Sequence, residues 1–329
     1  MIDFFGRELN YARISVTDRC NYRCRYCMPE EGVEWIPHDK ILSYEDILFL
    51  VGILCCFGVK KIRFTGGEPL IRKGMVSFLE EVTASFPGLQ IALTTNGSTL
   101  MRDSPLLARM GLKSINISLD TLHSEKFSTM TRGATLQSVL DGIDTLISLV
   151  SRSKTEVKMN SVLIRGFNDD DMIEQLTDFA FKKGILLRFI EFMPFYSNLW
   201  STEIFMPFPE IFDRLARLPG HAGHWTEEQP GENLSIGPAR YYVNSVSGQR
   251  IGVISAVSRH FCEMCNRLRV TSTGDVRPCL FDSRQISIAE ALKNRDEKKV
   301  RELLREAAAI KPESGVAHSE KTHMHTIGG

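Results

Sequence analysis

The sequence predicts an α/β protein built on a mainly parallel sheet. Two observations carry this. Strand-like and helix-like stretches alternate six times between Arg13 and Glu191, and such alternation makes βα units whose strands run parallel. Polar residues (Arg13, Thr94, Ser118, Asp120, Lys158 and Glu191) sit on or just after those strands, where parallel barrels build their sites.

The first strand, over 12–17, leads directly into Cys20-Asn-Tyr-Arg-Cys24-Arg-Tyr-Cys27. Three thiolates this close suit a soft metal centre, either iron–sulfur or zinc. A [4Fe–4S] cube normally takes four cysteines, so three leave one iron open to another ligand. Structural zinc prefers four protein ligands. The spacing favours the cluster and leaves zinc as the alternative.

Ser43-Tyr44-Glu45-Asp46 then reads as a helix cap with an acidic first turn. That helix runs to about Phe57 and stops at Gly58. Cys55 and Cys56 fall in its apolar run, where buried core thiols are expected. The strand over 61–65 ends in Gly66-Gly67-Glu68-Pro69. Glycines let a backbone approach closely, and the proline cannot continue a central strand. Alone, this is a tight βα turn; behind a Cys-x3-Cys-x2-Cys run it also suggests a ligand loop.

The remaining units follow in order. A helix over 75–86 precedes a strand over 90–94, and a helix over 105–110 precedes a strand over 114–120. A helix over 135–150 precedes a strand over 156–164, and Asp169-Asp170 reads as a turn opening a helix to Lys183, ahead of a strand over 186–191.

From about Phe195 the character changes. Prolines 194, 207, 209, 219, 230 and 238 punctuate an irregular stretch to about Gly237. Short β segments over 240–246 and 250–255 follow, then a charged helix over 288–310 and a polar end. This divides the chain into residues 1–195 and 196–329.

The composition adds bounds. The chain has 329 residues, 43% of them hydrophobic, with a formal net charge of zero. That supports one large core or two domains and implies no overall pull toward nucleic acid or membrane. The longest apolar run, 47–59, is too short to span a bilayer. The N-terminus lacks the basic and apolar regions of a secretory signal. Eight cysteines, most in tight groups, point to metal binding in a reducing compartment, hence the cytoplasm.

A second group is Cys262-x2-Cys265-x13-Cys279. Taken alone this set slightly favours zinc, with His260 as a possible fourth ligand. One zinc shared with Cys24 and Cys27 is disfavoured by the long gap. Between its cysteines lies Arg267-Leu268-Arg269. Alternation puts the two arginines on one strand face, and paired guanidiniums suit a polyanion. Neither a Walker loop nor a Gly-x-Gly-x2-Gly motif is present, so a nucleotide would need side-chain cations at its phosphates.

The Cys20–Cys27 run, with Tyr26 before its last cysteine, and the intact Gly66-Gly67-Glu68-Pro69 resemble the radical S-adenosylmethionine superfamily. Adding Cys262, Cys265 and Cys279, the Arg267-Leu268-Arg269 run and the terminal Gly328-Gly329, the chain is similar to the GTP 3′,8-cyclase family of molybdenum cofactor biosynthesis, from Arg13 to Gly329.

The resemblance implies a partial six-unit (βα) barrel, open on one side, with a C-terminal extension carrying a second cluster. Cys20, Cys24 and Cys27 would hold one [4Fe–4S] cluster, and Cys262, Cys265 and Cys279 another. Tyr26, Gly66, Gly67, Glu68, Ser118 and Met193 would surround S-adenosylmethionine. Arg13, Arg63, Thr94, Lys158, Arg267, Leu268 and Arg269 would hold GTP, and Gly328-Gly329 would enter the active site. Lys158 carries over least directly, because 151–154 resembles a small insertion. The resemblance also implies an electron donor, a homodimer and a cyclic pyranopterin monophosphate synthase taking the product. A peptide-maturing radical enzyme and a zinc-stabilised binding protein are the alternatives. Arg267-Leu268-Arg269 with Gly328-Gly329 speaks against the first, and Gly66-Gly67-Glu68-Pro69 against the second.

Overall fold

The structure, a computed structural model, describes residues 1–315 apart from 152, 170–171, 196–199, 218–222 and 229–236. Its elements are, in order, β1 (Tyr11–Ser15), α1 (Tyr44–Cys56), β2 (Lys61–Thr65), α2 (Met75–Ser85), β3 (Gln90–Thr95), α3 (Leu100–Leu107), β4 (Ser114–Ser118), α4 (Ser124–Thr131), α5 (Leu136–Val150), β5 (Glu156–Leu163), α6 (Met172–Lys182) and β6 (Leu186–Glu191). The remainder holds α7 (Phe208–Arg217), β7 (Trp225–Glu227), β8 (Arg240–Asn244), β9 (Arg250–Ile254), β10 (Arg267–Val270), β11 (Asp275–Arg277), β12 (Ile286–Ser287), α8 (Ala289–Lys293) and α9 (Glu297–Ala309).

The α/β expectation is met. Among the described residues the strands form one twelve-stranded sheet in the order β12-β11-β10-β1-β2-β3-β4-β5-β6-β9-β8-β7. Every neighbouring pair from β10 to β9 is parallel, and the outer strands pair antiparallel. The order has two ends, so the barrel is open. The sheet continues across residue 195: β9 extends β6 on one side and β10 extends β1 on the other.

Local chemistry explains the best-matched elements. Helix α1 starts at a capping box, with the Asp46 amide donating to Ser43 Oγ at 3.0 Å and the Ser43 amide to Asp46 Oδ2 at 3.1 Å. Each such bond satisfies an otherwise orphaned helix donor. Leu50, Val51 and Leu54 of this helix join the core with Ile62 and Phe64 of β2.

Several expectations need correcting. Helix α3 begins at Leu100, and Pro105 lies inside it. Its register is set by burial of Leu100 and Leu107 and by Gly142 of α5, where a Cβ would fall 2.8 Å from Leu100 Cβ. Helix α7 and β7 occupy a stretch expected to be irregular. Pro207 and Pro209 stand at the helix entry, where a missing amide costs little, and Ile211 and Leu215 form its buried face. The charged helix is two, α8 and α9, separated at Arg295 with φ 54°. Cys56 is exposed, and Cys55 is half-buried and packs against the edge of the core rather than within it, since both stand in the last turn of α1.

Candidate active site

The strand register builds a stack of cations. Arg269 of β10 lies level with Arg13 of β1, and Arg13 with Arg63 of β2. One step lower, Arg267 is level with Tyr11, and Tyr11 with Lys61. Alternation aims these residues at one face, while Leu268 between the arginines is buried in the main core. The face encloses a cavity of about 290 Å³. Arg13, Cys20, Cys24, Tyr26, Cys27, Arg63, Gly66, Gly67, Thr94, Ser118, Lys158, Met193, Arg267 and Arg269 all line it.

The cysteine loop after β1 sits at the C-terminal end of the parallel strands. It is fastened from two sides. Helix α4, absent from the sequence expectation, ends against it: the Arg23 and Arg25 amides donate to Thr131 O and Met130 O at 3.2 and 2.9 Å. Arg132, in the left-handed conformation with φ 58°, donates to Arg23 O at 2.8 Å and Met28 O at 3.1 Å. From β2, the Gly67 and Glu68 amides donate to Thr17 O and Arg19 O at 2.9 and 2.8 Å. A Cβ on Gly67 would meet Arg19 O at 2.2 Å, so the close packing of the two loops requires glycine there.

Glu68 does not line the cavity. It is fully buried and accepts from the Leu70 amide at 3.0 Å, Thr95 Oγ1 at 2.8 Å and the Asn96 amide at 2.6 Å. Burial pushes its carboxyl up to about 7 against those bonds. It braces the loop. Glu191 is a similar strut, accepting from the Phe208, Val257 and Ser258 amides at 2.8, 2.8 and 2.9 Å.

The second cysteine group lies at the N-terminal end of β10, the strand beside β1, and so at the opposite end of the parallel strands from the first group. Cys262 and Cys265 immediately precede β10, and Cys279 follows β11, which runs antiparallel to it. These cysteines do not line the cavity themselves, but their neighbours Phe261 and Leu280 do. Arg267 lies over the Phe261 ring, 4.7 Å from its centroid. His260 donates Nδ1–H to Ala256 O at 2.9 Å.

All six cysteines are free thiols. Burial pushes Cys20 to about 11 and Cys27 to about 12, and raises Cys24 well above its ordinary value. Burial also raises Cys265, but Arg267 and Lys311 outweigh it and bring that thiol to about 6. Metal coordination deprotonates thiols outright, so three half-buried free cysteines in one loop fit a cluster. Among the described residues no three Cys, His, Asp or Glu converge as on a single ion. A four-iron cube is wider than one ion and spreads its thiolates accordingly.

The expected GTP residues differ in how committed they are. Arg63 donates Nε–H to Tyr11 Oη at 2.8 Å, Nη1–H to Leu93 O at 2.7 Å and Thr94 Oγ1 at 3.3 Å, and Nη2–H to Ser114 Oγ at 3.0 Å. Lys158 pairs with Glu156 at 2.8 Å. Arg269 Nη1, by contrast, is buried with no hydrogen-bond partner among the described residues. Burial and then Arg13 and Arg267 hold its guanidinium well below the ordinary range.

Sequence reasoning passed over Tyr11, Lys61, Asn160 and Arg188, which also line the cavity. Arg188 donates to Asn160 Oδ1 at 2.9 Å. A charged residue inside the apolar run of β6, and another opening β2, were the available signals. Asp120 accepts from Tyr26 Oη–H at 2.9 Å and from the Val162 amide at 2.8 Å, so it fixes the tyrosine beside the cysteine loop. Gly328 and Gly329 lie outside the described residues.

Known proteins resemble this chain over its whole length. Residues 14–179 match the Radical SAM superfamily and residues 185–316 match Molybdenum Cofactor Synthesis C. The GTP 3′,8-cyclase of Pelotomaculum thermopropionicum is 41% identical over 100% of both chains. That of Geobacter sulfurreducens is 40% identical over 100% of this chain and 99% of its own. In fold, the chain is similar to Streptococcus suis SuiB bound to precursor peptide SuiA, with TM-score 0.59, 14% identity and coverage of 98% of this chain and 70% of that one. For SuiB bound to S-adenosylmethionine the TM-score is 0.58 at 13% identity, covering 91% and 66%. The chain belongs to the radical S-adenosylmethionine superfamily and, within it, to the GTP 3′,8-cyclase family.

Proposed function

We propose that the open barrel binds S-adenosylmethionine at the Cys20–Cys27 end and GTP against the cation stack, with a second cluster at the far end. The reaction is conversion of GTP to (8S)-3′,8-cyclo-7,8-dihydro-GTP, the first step of molybdenum cofactor biosynthesis. The observation that carries the spatial reading is one cavity lined by Cys20, Cys24 and Cys27 at one end, by Phe261 and Leu280 beside the second cysteine group at the other, and by cations between.

S-adenosylmethionine with the first of two [4Fe–4S] clusters would supply a 5′-deoxyadenosyl radical able to take the hydrogen from ribose C3′; joining C3′ to guanine C8 then needs one electron and one proton to complete the product, and the second cluster would hold the guanine. The protein's part is to position the reactants and exclude water. Cys20, Cys24 and Cys27 hold the first cluster. Tyr26, Gly66, Gly67, Ser118 and Met193 contact S-adenosylmethionine, and Glu68 keeps that loop in place. Arg13, Arg267 and Arg269 face the triphosphate as charge-assisted donors. Arg63, Thr94 and Lys158 complete that wall, Arg63 largely by holding Tyr11. Leu268 contributes only its backbone, since its side chain is in the core. Cys262, Cys265 and Cys279 hold the second cluster against the guanine end, and Gly328-Gly329 completes the pocket.

In this reading residues 1–195 carry radical generation and 196–329 the second cluster and tail. No described helix is long and apolar enough to cross a membrane. The protein works in the cytoplasm as a homodimer, takes electrons from a reductant, and passes product to a cyclic pyranopterin monophosphate synthase. The test is anaerobic incubation of the reconstituted protein with dithionite and S-adenosylmethionine. 5′-Deoxyadenosine should form with GTP and depend on it; a colourless protein that forms none would sink the reading.

A further inference from the structure

The segment after α9 touches each member of the second cysteine group. Lys311 is 2% exposed, and a buried lysine normally needs partners for its charge. Its Nζ donates to Pro278 O at 2.5 Å, Arg267 O at 3.0 Å and Cys265 Sγ at 3.4 Å. Ser314 Oγ donates to Cys262 Sγ at 3.8 Å. At Gly315 a Cβ would fall 2.7 Å from Cys279 Sγ. Three residues of one short stretch therefore meet three different cysteines.

That stretch is tied down from the N-terminus. Arg7 pairs with Asp3 at 2.6 Å, both buried. Its Nη1 donates to Cys262 O at 2.8 Å and Glu313 O at 3.0 Å, and its Nη2 to Pro312 O at 2.6 Å. One guanidinium thus joins the cysteine loop to the stretch that covers it. A lysine that only closed off two carbonyls would be ordinary packing. Aiming its remaining donor at a thiol, beside a serine doing the same and a glycine making room for the third, is a wall built around sulfur.

We propose that residues 311–315 form the outer wall of the second cluster, and that Lys311 is a positioning residue that raises the cluster's reduction potential. This rests on the assignment of Cys262, Cys265 and Cys279 as cluster ligands. Hydrogen bonds to cluster sulfurs, nearby charge and solvent exposure set such potentials, and outer partners orient ligands. A fixed cation and two donors on the thiolates stabilise the reduced, more negative state.

The test uses full-length protein with Cys20, Cys24 and Cys27 all changed to Ala, so that only the second cluster is read. About four irons per chain should remain; their absence would overturn the cluster assignment itself. An EPR-monitored redox titration then compares Lys311→Met, Lys311→Arg and Ser314→Ala in this background. Lys311→Met should lower the ratio of reduced to oxidised cluster at least tenfold at fixed poise, 59 mV for one electron. Lys311→Arg should recover most of it, and Ser314→Ala should shift it less, in the same direction. Gly315→Ala should lose iron. Four irons with an unmoved potential in Lys311→Met would overturn the inference alone. If Lys311→Met loads no iron, an unmoved potential in Ser314→Ala together with failure of Lys311→Arg to load would overturn it equally.

Discussion

Arg269→Met separates two roles of one buried cation by their opposite signs. In the free protein Arg269 is 5% exposed, level with Arg13 and on one face with Arg267. Its Nη1 lacks a hydrogen-bond partner among the described residues. Burying a charge without full compensation is costly, and the neighbouring guanidiniums add repulsion. Methionine keeps the apolar stem and removes the charge, so the free protein should melt at the same temperature or higher. With GTP present the balance reverses. A hydrogen bond to a charged group contributes about 1.5–3 kcal/mol, so affinity should fall about tenfold to 150-fold. Guanosine, lacking the triphosphate, should bind almost unchanged. Anaerobic calorimetric titration with both ligands, beside a melting curve without ligand, reads each term. A variant that melts several degrees lower, or that loses GTP and guanosine equally, would refute the reasoning.

Tyr11 should make GTP binding pH-dependent. Burial pushes its hydroxyl up, but Arg63, Arg13 and Lys61 outweigh it and bring it down to about 7. Above that value the free protein carries a phenolate among the cations, and an arriving triphosphate forces the proton back on. By linkage, GTP affinity should fall as pH rises above 7, approaching tenfold per unit, and Tyr11→Phe should flatten the profile; an identical slope in both proteins removes Tyr11 from the account. Gly67→Ala drives a Cβ to 2.2 Å from Arg19 O, a backbone atom that cannot swing away. It should destabilise by about 1–3 kcal/mol and empty the first cluster, both seen by denaturant melts and iron analysis; full iron with normal stability would mean the loops are not tightly packed. Deleting Gly328 and Gly329 should leave folding and both clusters intact while cutting GTP cyclisation severely, so full turnover would show that the tail takes no part.

What the sequence made legible was local. The ends of α1 are written in Ser43, Asp46 and Gly58, within a few residues of the bonds they make. The cysteine groups are readable because their spacing is itself the ligand geometry. Pairings across the chain were not readable this way. Nothing near residue 250 or 267 indicates that β9 extends β6 and β10 extends β1, because the hydrogen bonds are made by strands far away in sequence. Helix α4 was missed although its end holds the cysteine loop, since it is short and polar on one side. Arg63 looked like a ligand equal to Arg269. Only the fold shows that its donors are already engaged, whereas Arg269 keeps a buried nitrogen with no partner among the described residues. Lys311 follows the charged helix with nothing in the sequence to single it out, and its burial against Cys265 is purely tertiary.

The central claim is that one cavity brings the radical source and the GTP ribose within reaction distance. Its most direct test is anaerobic turnover of GTP deuterated at ribose C3′ with unlabelled S-adenosylmethionine. The 5′-deoxyadenosine formed should carry one deuterium, and GTP deuterated at other ribose carbons should give none. Unlabelled 5′-deoxyadenosine from the C3′-deuterated substrate, formed at the normal rate, would contradict the placement of GTP between the two cysteine groups.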